Sequence, residues 1–264
     1  MQALAVREVV TVVRSRASLA LVLAVAGVVA GVILTSNSQR AFLPVAVDLL
    51  LPLELLVPAA AVALGYGPIA GDARREELDV FDTYPVSPAQ YVLGVYAGRA
   101  LALAAVLAVP LAAVGVWIAL APAADFSFLT TQSGVDSPVI FIRFVALTLG
   151  FGLTVLAMAV AVSALSRARR SALVLGIALL AVVVVGLDLL VLRGFVRGLV
   201  PAEQLARVLA LSPTSAYRGL VFETVLSTAT ESDLRQVSPP LAVVGLVGWT
   251  VGSLAVTTLV VRRG

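Results

Sequence analysis

The sequence predicts an all-α, polytopic membrane protein with six transmembrane helices, and three observations carry that expectation. Hydrophobic residues make up 61% of the chain and charged residues 12%, whereas about a quarter of a soluble domain is charged. The mean hydropathy is +1.08, too apolar a surface for water to solvate. The apolar residues also fall into six long runs, and a hydrocarbon core takes roughly 20 helical residues to cross. Helices are the expected form, because a chain in lipid must satisfy its backbone hydrogen bonds internally.

Met1 to Ser15 (MQALAVREVVTVVRS) reads as an amphipathic helix along the inner membrane surface, with the interfacial segment ending at residue 17. A frayed leader is the alternative. Span one, at 18–36, is too long for a signal-peptide core and lacks a clear cleavage site. Spans two, three and four fall at 43–66, 91–120 and 139–165, the last two long enough to tilt or to begin at the interface. Residues 67–86 form a cytoplasmic segment between spans two and three. Span five falls at 172–192, a large extracytoplasmic loop with helices at 193–239, and span six at 240–261. Residues 1–264 are thus expected to form one transmembrane domain.

Arginine sets the direction. Arg7, Arg14 and Arg16 precede span one, Arg74 and Arg75 follow span two, Arg167, Arg169 and Arg170 follow span four, and Arg262 and Arg263 close the chain. The short opposite connections hold only Arg40, and long loops count weakly in the positive-inside rule. Both termini are therefore expected in the cytoplasm.

The chain has no Cys, His or Lys. Disulfides, thiolate or imidazole metal sites and His-based catalysis are excluded. A standard P-loop is excluded as well, since it needs its Lys. A pI near 9.8 with arginines flanking apolar runs fits an anionic membrane face rather than nucleic acid.

The densest charge lies in GDARREELDVFDTYPVSPAQY, from Gly71 to Tyr91. At about 100° per residue, Asp82, Arg75, Asp79, Asp72 and Glu76 share one face. Ile69, Val80, Ala73, Tyr84, Phe81 and Leu78 share the other, interrupted by Glu77 and Arg74. This predicts an amphipathic helix whose apolar face needs a partner, and a merely solvated loop is the plainer alternative. Pro85 stops it. Ser87-Pro88-Ala89-Gln90 then reads as a helix start: Ser87 caps, Pro88 suits the first position and Gln90 reaches back.

The run DARREELDVFDTYPVSPAQYVLGVYAGR resembles the first cytoplasmic loop of type-2 ABC exporter permeases. Arg75, Glu76, Glu77, Leu78, Pro85, Val86, Ser87, Tyr91, Val92, Leu93 and Gly94 match that pattern in place. The family's usual Gly-Thr-Leu-Glu is replaced by Glu77-Leu78-Asp79-Val80. The resemblance implies a type-2 ABC exporter fold for nearly the whole chain. It also implies a coupling helix, Asp72, Arg74, Arg75, Glu76, Glu77, Leu78, Asp79, Phe81, Pro85 and Ser87, docked on a separate cytoplasmic ATPase subunit. A second run, LALSPTSAYRGL, is similar to the Asn-Pro-x-x-x-x-Arg segment of permeases related to the nitrous oxide reductase maturation permease, the NosY group. Ser212 stands where Asn is usual, followed by Pro213, Tyr217 and Arg218. It is expected as a capped amphipathic helix on the outer surface.

Ionisable residues inside the membrane are costly and default to functional candidates. Asp48 and Glu54 fall in span two, Arg99 in span three, Arg143 in span four and Asp188 in span five. Arg99 sits near enough the inner side to snorkel. Arg143 is expected to pair with Asp48 or Asp188. Glu54, between Pro52 and Pro58, has no obvious basic partner at its depth and is the best single candidate for a translocation route. Gly27-x3-Gly31 in span one, and Gly152 and Ser163 in span four, permit close helix packing.

These readings converge on the membrane subunit of an ATP-binding cassette transporter: no catalytic residue, metal or cofactor of its own, and ATP held by the partner. Its expected partners are the ATPase, a second permease copy, the lipid bilayer and an extracytoplasmic protein, with a role in copper-reductase maturation implied by the NosY resemblance. A secondary transporter using Glu54 or Asp48 is the first rival, although no internal repeat is evident. An intramembrane enzyme is the second, and Asp48 and Asp188 lack a Gly-x-Gly-Asp setting.

Overall fold

The computed structural model describes residues 16–35, 41–69, 87–120, 136–166, 168–226 and 238–263, and every regular element among them is helical. Helix α1 covers Arg16–Thr35, α2 Phe42–Gly65, α3 Pro88–Ala119 and α4 Pro138–Leu165. Helix α5 (Arg169–Ala181), a π-helical turn (Val182–Gly186) and α6 (Leu187–Val196) form one rod. Helices α7 (Ala202–Leu209) and α8 (Pro213–Val221) follow, α8 running into a second π turn (Phe222–Leu226), and α9 is Pro239–Arg263. Among the described residues, five helices are long and apolar enough to cross a membrane: α2, α3, α4, the α5–α6 rod and α9. Helix α1, apolar from Leu19 to Thr35, coincides with the expected first span. The expected coupling helix, Asp72 to Phe81 with Pro85, lies outside the described residues. So does the N-terminal interfacial segment, apart from Arg16 and Ala17 at the start of α1.

Local chemistry explains where the helices begin. Ser87 forms the expected capping box: its Oγ accepts from the Gln90 N–H at 3.3 Å, and its own N–H donates to Gln90 Oε1 at 3.1 Å. Pro88 fills the first helical position, where a missing N–H costs nothing. Ser137 and Pro138 start α4 in the same way. Helix α2 has no cap from its neighbours in sequence. The Asp136 carboxylate instead accepts from the N–H groups of Phe42 and Leu43, at 3.1 and 2.9 Å. One acid thereby satisfies two of the four donors that a helix start leaves open.

Helix α4 is the centre of the bundle. Phe144, Phe151, Val155, Leu156 and Ala159 are all fully buried, and α2, α3, α8 and α9 pack around them. Glycine permits the closest approaches. A Cβ on Gly152 would stand 3.0 Å from Val57, and one on Gly65 would stand 2.7 Å from the Ala159 side chain. Gly27 and Gly31 differ: a Cβ at either meets nothing within 4 Å, so this pattern makes no close contact among the described residues.

The register makes α2 and α4 run in the same direction. Phe42 meets Asp136 at one end of α2, and the Ile69 N–H donates to Ser163 Oγ at the other. Thr250 Oγ1 donates to Thr154 Oγ1 at 3.1 Å, midway along α4 and α9. The α5–α6 rod and α9 bury little of themselves within the chain. Val174, Ile177, Leu190, Val244, Val251 and Leu259 are exposed apolar residues, as expected for helices facing lipid or another copy.

Candidate functional site

The structure corrects the expected position of the 209–220 segment. Helix α8 is too short and too polar to register as a span, yet every one of its residues except Arg218 is buried. It folds back into the bundle against α4 and α9. Tyr217 is the anchor. Its ring stacks on Phe151 with centroids 4.8 Å apart and planes within 5°, and its hydroxyl meets Thr148 Oγ1 at 3.0 Å. The small residues Ser215, Ala216 and Gly219 let the backbone approach its neighbours, because a short helix carries no bulky apolar side chains to hold it away.

The base of this hairpin is pinned from two sides. The Trp249 indole N–H donates to the Leu211 carbonyl at 2.8 Å. A Cβ on Gly245 would stand 2.7 Å from the Ala210 carbonyl oxygen. On the other side, Thr214 Oγ1 donates to the Val183 carbonyl at 2.8 Å. Val183 lies in the π turn, whose widened geometry releases carbonyls from the regular α-helical ladder. The hydroxyl of α8 takes one of them.

Four predicted site residues meet here: Glu54, Arg218, Asp188 and Ser212. Glu54, only 5% exposed, accepts two hydrogen bonds from Arg218: Nε to Oε1 at 2.7 Å and Nη2 to Oε2 at 2.6 Å. This planar, bidentate pairing is the strongest form of a carboxylate–guanidinium contact. Asp188 accepts from Ser212 Oγ at 2.5 Å and from Ser215 Oγ at 2.8 Å. Its charge also lies near enough to act on Arg218. Helix α8 therefore touches two intramembrane acids, one on α2 and one on α6.

Several expectations are overturned. Glu54 does have a basic partner at its depth, Arg218, which reaches it because α8 enters the bundle. Arg143 pairs with neither Asp48 nor Asp188; its Nη1 donates to the Thr224 carbonyl at 3.5 Å, beside the second π turn. Ser212 precedes α8 in an extended conformation, as a cap should, but its hydroxyl goes to Asp188 instead of a helix N–H. Arg99 lies half-buried on α3 and Asp48 half-buried on α2; neither joins the Glu54–Arg218–Asp188 group.

One feature had no reading in the sequence alone. Asp136 caps α2 across 94 residues, a relation that no local spacing encodes. Pro58 lies four residues after Glu54, and Pro52 four after Asp48. A proline has no N–H, so the carbonyls of both acidic positions lose their helical donors.

The arrangement is a polar station inside an apolar bundle, with an ion pair linking α2 to α8 and serine–carboxylate hydrogen bonds linking α6 to the start of α8. A comparison with individually curated proteins finds no match. The model of the ABC-2 family transporter proteins matches residues 2–263. That match covers nearly the whole chain and agrees with its apolar helices, and the chain belongs to the ABC-2 family transporter proteins, membrane subunits of ATP-binding cassette transport systems that work with an ATPase partner.

Proposed function

We propose that this chain is the permease half of an ABC exporter, acting as two copies with two ATPases on the cytoplasmic side. The observation that carries this reading beyond family membership is the exposure of Arg218. Its side chain is 39% exposed while paired with a buried Glu54, which lies midway along a 24-residue span. A guanidinium open to lipid at that depth is costly. The face carrying Arg218, Glu54 and Asp188 is therefore the one that lines a hydrated route between two copies.

The motor acts at the other end. Residues 72–84 form the coupling helix that sits on the ATPase, with Arg75, Glu76 and Leu78 at its centre. The capped restart at Ser87 joins that helix rigidly to α3, so ATPase closure tilts α3 and changes which side the route opens to. Nucleotide shifts this equilibrium only if the docking contacts differ between the two states. Both termini and the arginine-rich ends face the cytoplasm. The Arg218 partner of Glu54 weighs against a proton- or sodium-linked role for that acid.

The Ser212-Pro213-x3-Tyr217-Arg218 segment supports a NosY-like role in maturing a copper-containing reductase. The chain's only soft donors are two methionines, so an extracytoplasmic partner handles any copper.

Two measurements test the reading. An ATPase should co-purify with the chain, and should be lost when Arg75, Glu76 and Leu78 are substituted. The natural sequence has no Cys, so Ser215→Cys introduces a single thiol, at the cost of one hydroxyl bond to Asp188. Its labelling by a membrane-impermeant maleimide should change between nucleotide-free and ATP-trapped complexes. A transport-active chain with no ATPase, or labelling indifferent to nucleotide, overturns the proposal.

A further inference from the structure

The Glu54–Arg218–Asp188 group does not balance its charge. Glu54 and Arg218 form a bidentate pair that is neutral as a unit. No ion pair engages Asp188 among the described residues, and among them Glu54 and Asp188 are the charges that act on Arg218. Two carboxylates against one guanidinium leave one negative charge. Asp188 is half-buried, and Ser212 and Ser215 both donate to its Oδ1, at 2.5 and 2.8 Å. Its Oδ2 accepts no hydrogen bond among the described residues. No buried side-chain oxygen among them lacks a partner, so Oδ2 is open rather than sealed.

Depth makes that charge costly. From Pro138 to Thr148, the residue that meets Tyr217, helix α4 rises about 15 Å at roughly 1.5 Å per residue. Helix α8 then runs back toward the start of α4, where Arg143 donates to Thr224. Ser212 and Ser215 therefore lie deeper than Tyr217. Leu211 is held by Trp249, beside Thr250 on Thr154, and Thr154 lies about 16 Å before Leu165 at the same rise. Asp188 thus sits in the middle of the bundle, where an unbalanced carboxylate is expensive.

The donor set indicates what balances it. A hydroxyl that gives its proton to Asp188 keeps oxygen lone pairs for another partner, and both serines are buried. Carboxylate and hydroxyl oxygens suit hard cations. Among the described residues no three acidic side chains gather, so there is one charge to match and not two. The π turn ends immediately before α6 and its Asp188, and interrupted helices surround the coupling ions of membrane transporters in the same way.

We propose that Asp188, with the hydroxyl oxygens of Ser212 and Ser215, binds a monovalent cation, either an alkali ion or the protonated amine of a transported molecule. The bound cation balances the station and fastens the start of α8 to α6. This inference rests on the reading that the same face lines a hydrated route, which gives the cation its way in. Binding needs neither nucleotide nor ATPase, so its failure and that of the transport reading are separable.

The full chain, purified without an ATPase, is held in choline chloride and titrated with sodium, potassium or methylammonium chloride. Ionic strength and pH stay constant. Amide exchange over Pro213–Val221 reads occupancy, because a ligand of the folded state suppresses opening as its concentration rises. At saturation one of these cations should slow exchange at least about fivefold relative to choline. Protection by sodium or potassium marks an alkali ion, and protection by methylammonium alone marks an amine. Asp188→Asn should abolish the effect. Ser212→Ala keeps the carboxylate but removes one oxygen, and should raise the half-saturating concentration at least about threefold. Asp136→Asn, at the end of α2, should leave that concentration unchanged. Exchange indifferent to all three cations overturns the proposal, as does protection that survives Asp188→Asn. Protection that follows falling pH with no cation dependence also overturns it, because a proton then balances Asp188.

Discussion

Arg218 donates two hydrogen bonds to Glu54 from 164 residues away in sequence, through Nε at 2.7 Å and Nη2 at 2.6 Å. The pair joins the folded-back helix α8 to the middle of α2. Removing Arg218 leaves the Glu54 charge buried and unmatched, which costs about 3–5 kcal/mol, whereas removing Glu54 leaves a guanidinium that is 39% exposed. Arg218→Gln should lower the melting temperature strongly and Glu54→Gln less so. The double variant should lose much less than the sum, because it leaves no orphan charge. A double-mutant cycle in detergent checks this, and strict additivity would show that the two residues are not coupled.

Asp188 holds the start of α8 through two serine hydroxyls. Asp188→Asn keeps the size of the side chain but gives up the charge that strengthens both bonds, each worth about 1.5–3 kcal/mol. Ser212→Ala and Ser215→Ala should each cost less than Asp188→Asn. The sensitive measurement is amide hydrogen exchange over Pro213–Val221. Exchange there should accelerate while α4 stays protected.

Asp136 is predicted to act as a cap supplied from a distant part of the chain. Asp136→Ala should destabilise the start of α2 by about 0.5–2 kcal/mol. The amides of Phe42 and Leu43 should exchange faster, and Asp136→Asn should recover part of the protection. If those amides do not change, the carboxylate is not their acceptor.

The glycines of α9, α2 and α1 should differ in a graded way. Gly245→Ala places its Cβ 2.7 Å from the Ala210 carbonyl oxygen, and a backbone atom cannot rotate aside. It should cost about 1–3 kcal/mol by overpacking. Gly65→Ala meets the Ala159 side chain at 2.7 Å and should force α2 away from α4 at similar cost. Gly27→Ala, in open space, should be neutral to slightly stabilising, since Ala favours helix over Gly by up to about 1 kcal/mol. Thermal melts of the three variants should rank accordingly.

Tyr217 combines a stacked ring with a buried hydroxyl. Tyr217→Phe keeps the stack on Phe151 and leaves Thr148 its own bond to the Phe144 carbonyl at 2.8 Å. Its loss should be near 1 kcal/mol. Tyr217→Ala removes the whole anchor and should cost about 3–5 kcal/mol. Nucleotide-dependent labelling at Ser215→Cys should persist in the first variant and disappear in the second.

Much of the helical framework was legible because its determinants are local. A run of apolar residues sets where a helix can cross, and Ser87-Pro88-Ala89-Gln90 specifies its own start within four positions. Helix α8 was misplaced for an equally physical reason. At nine residues it is too short to register as a span, and its Ser, Thr, Tyr and Arg read as an outer surface. Hydropathy averages a window along the chain and does not see that Phe151, Thr148, Glu54 and Asp188 await each of those side chains. A basic residue beside small residues, together with an unmatched acid in span two, was the available clue. Nothing in the spacing joined them.

The sequence by itself determined that this chain is helical, multi-pass and built without Cys, His or Lys, because those properties depend on composition, hydrophobic length and short-range capping. The tertiary structure alone decided the partners of the buried charges: Arg218 for Glu54, two serines for Asp188, and the Thr224 carbonyl for Arg143. A helical pattern reports depth along its own axis. Which face turns toward which neighbour depends on packing, and the close approaches at Gly65 and Gly152 between α2 and α4, and at Gly245 against Ala210, select one arrangement.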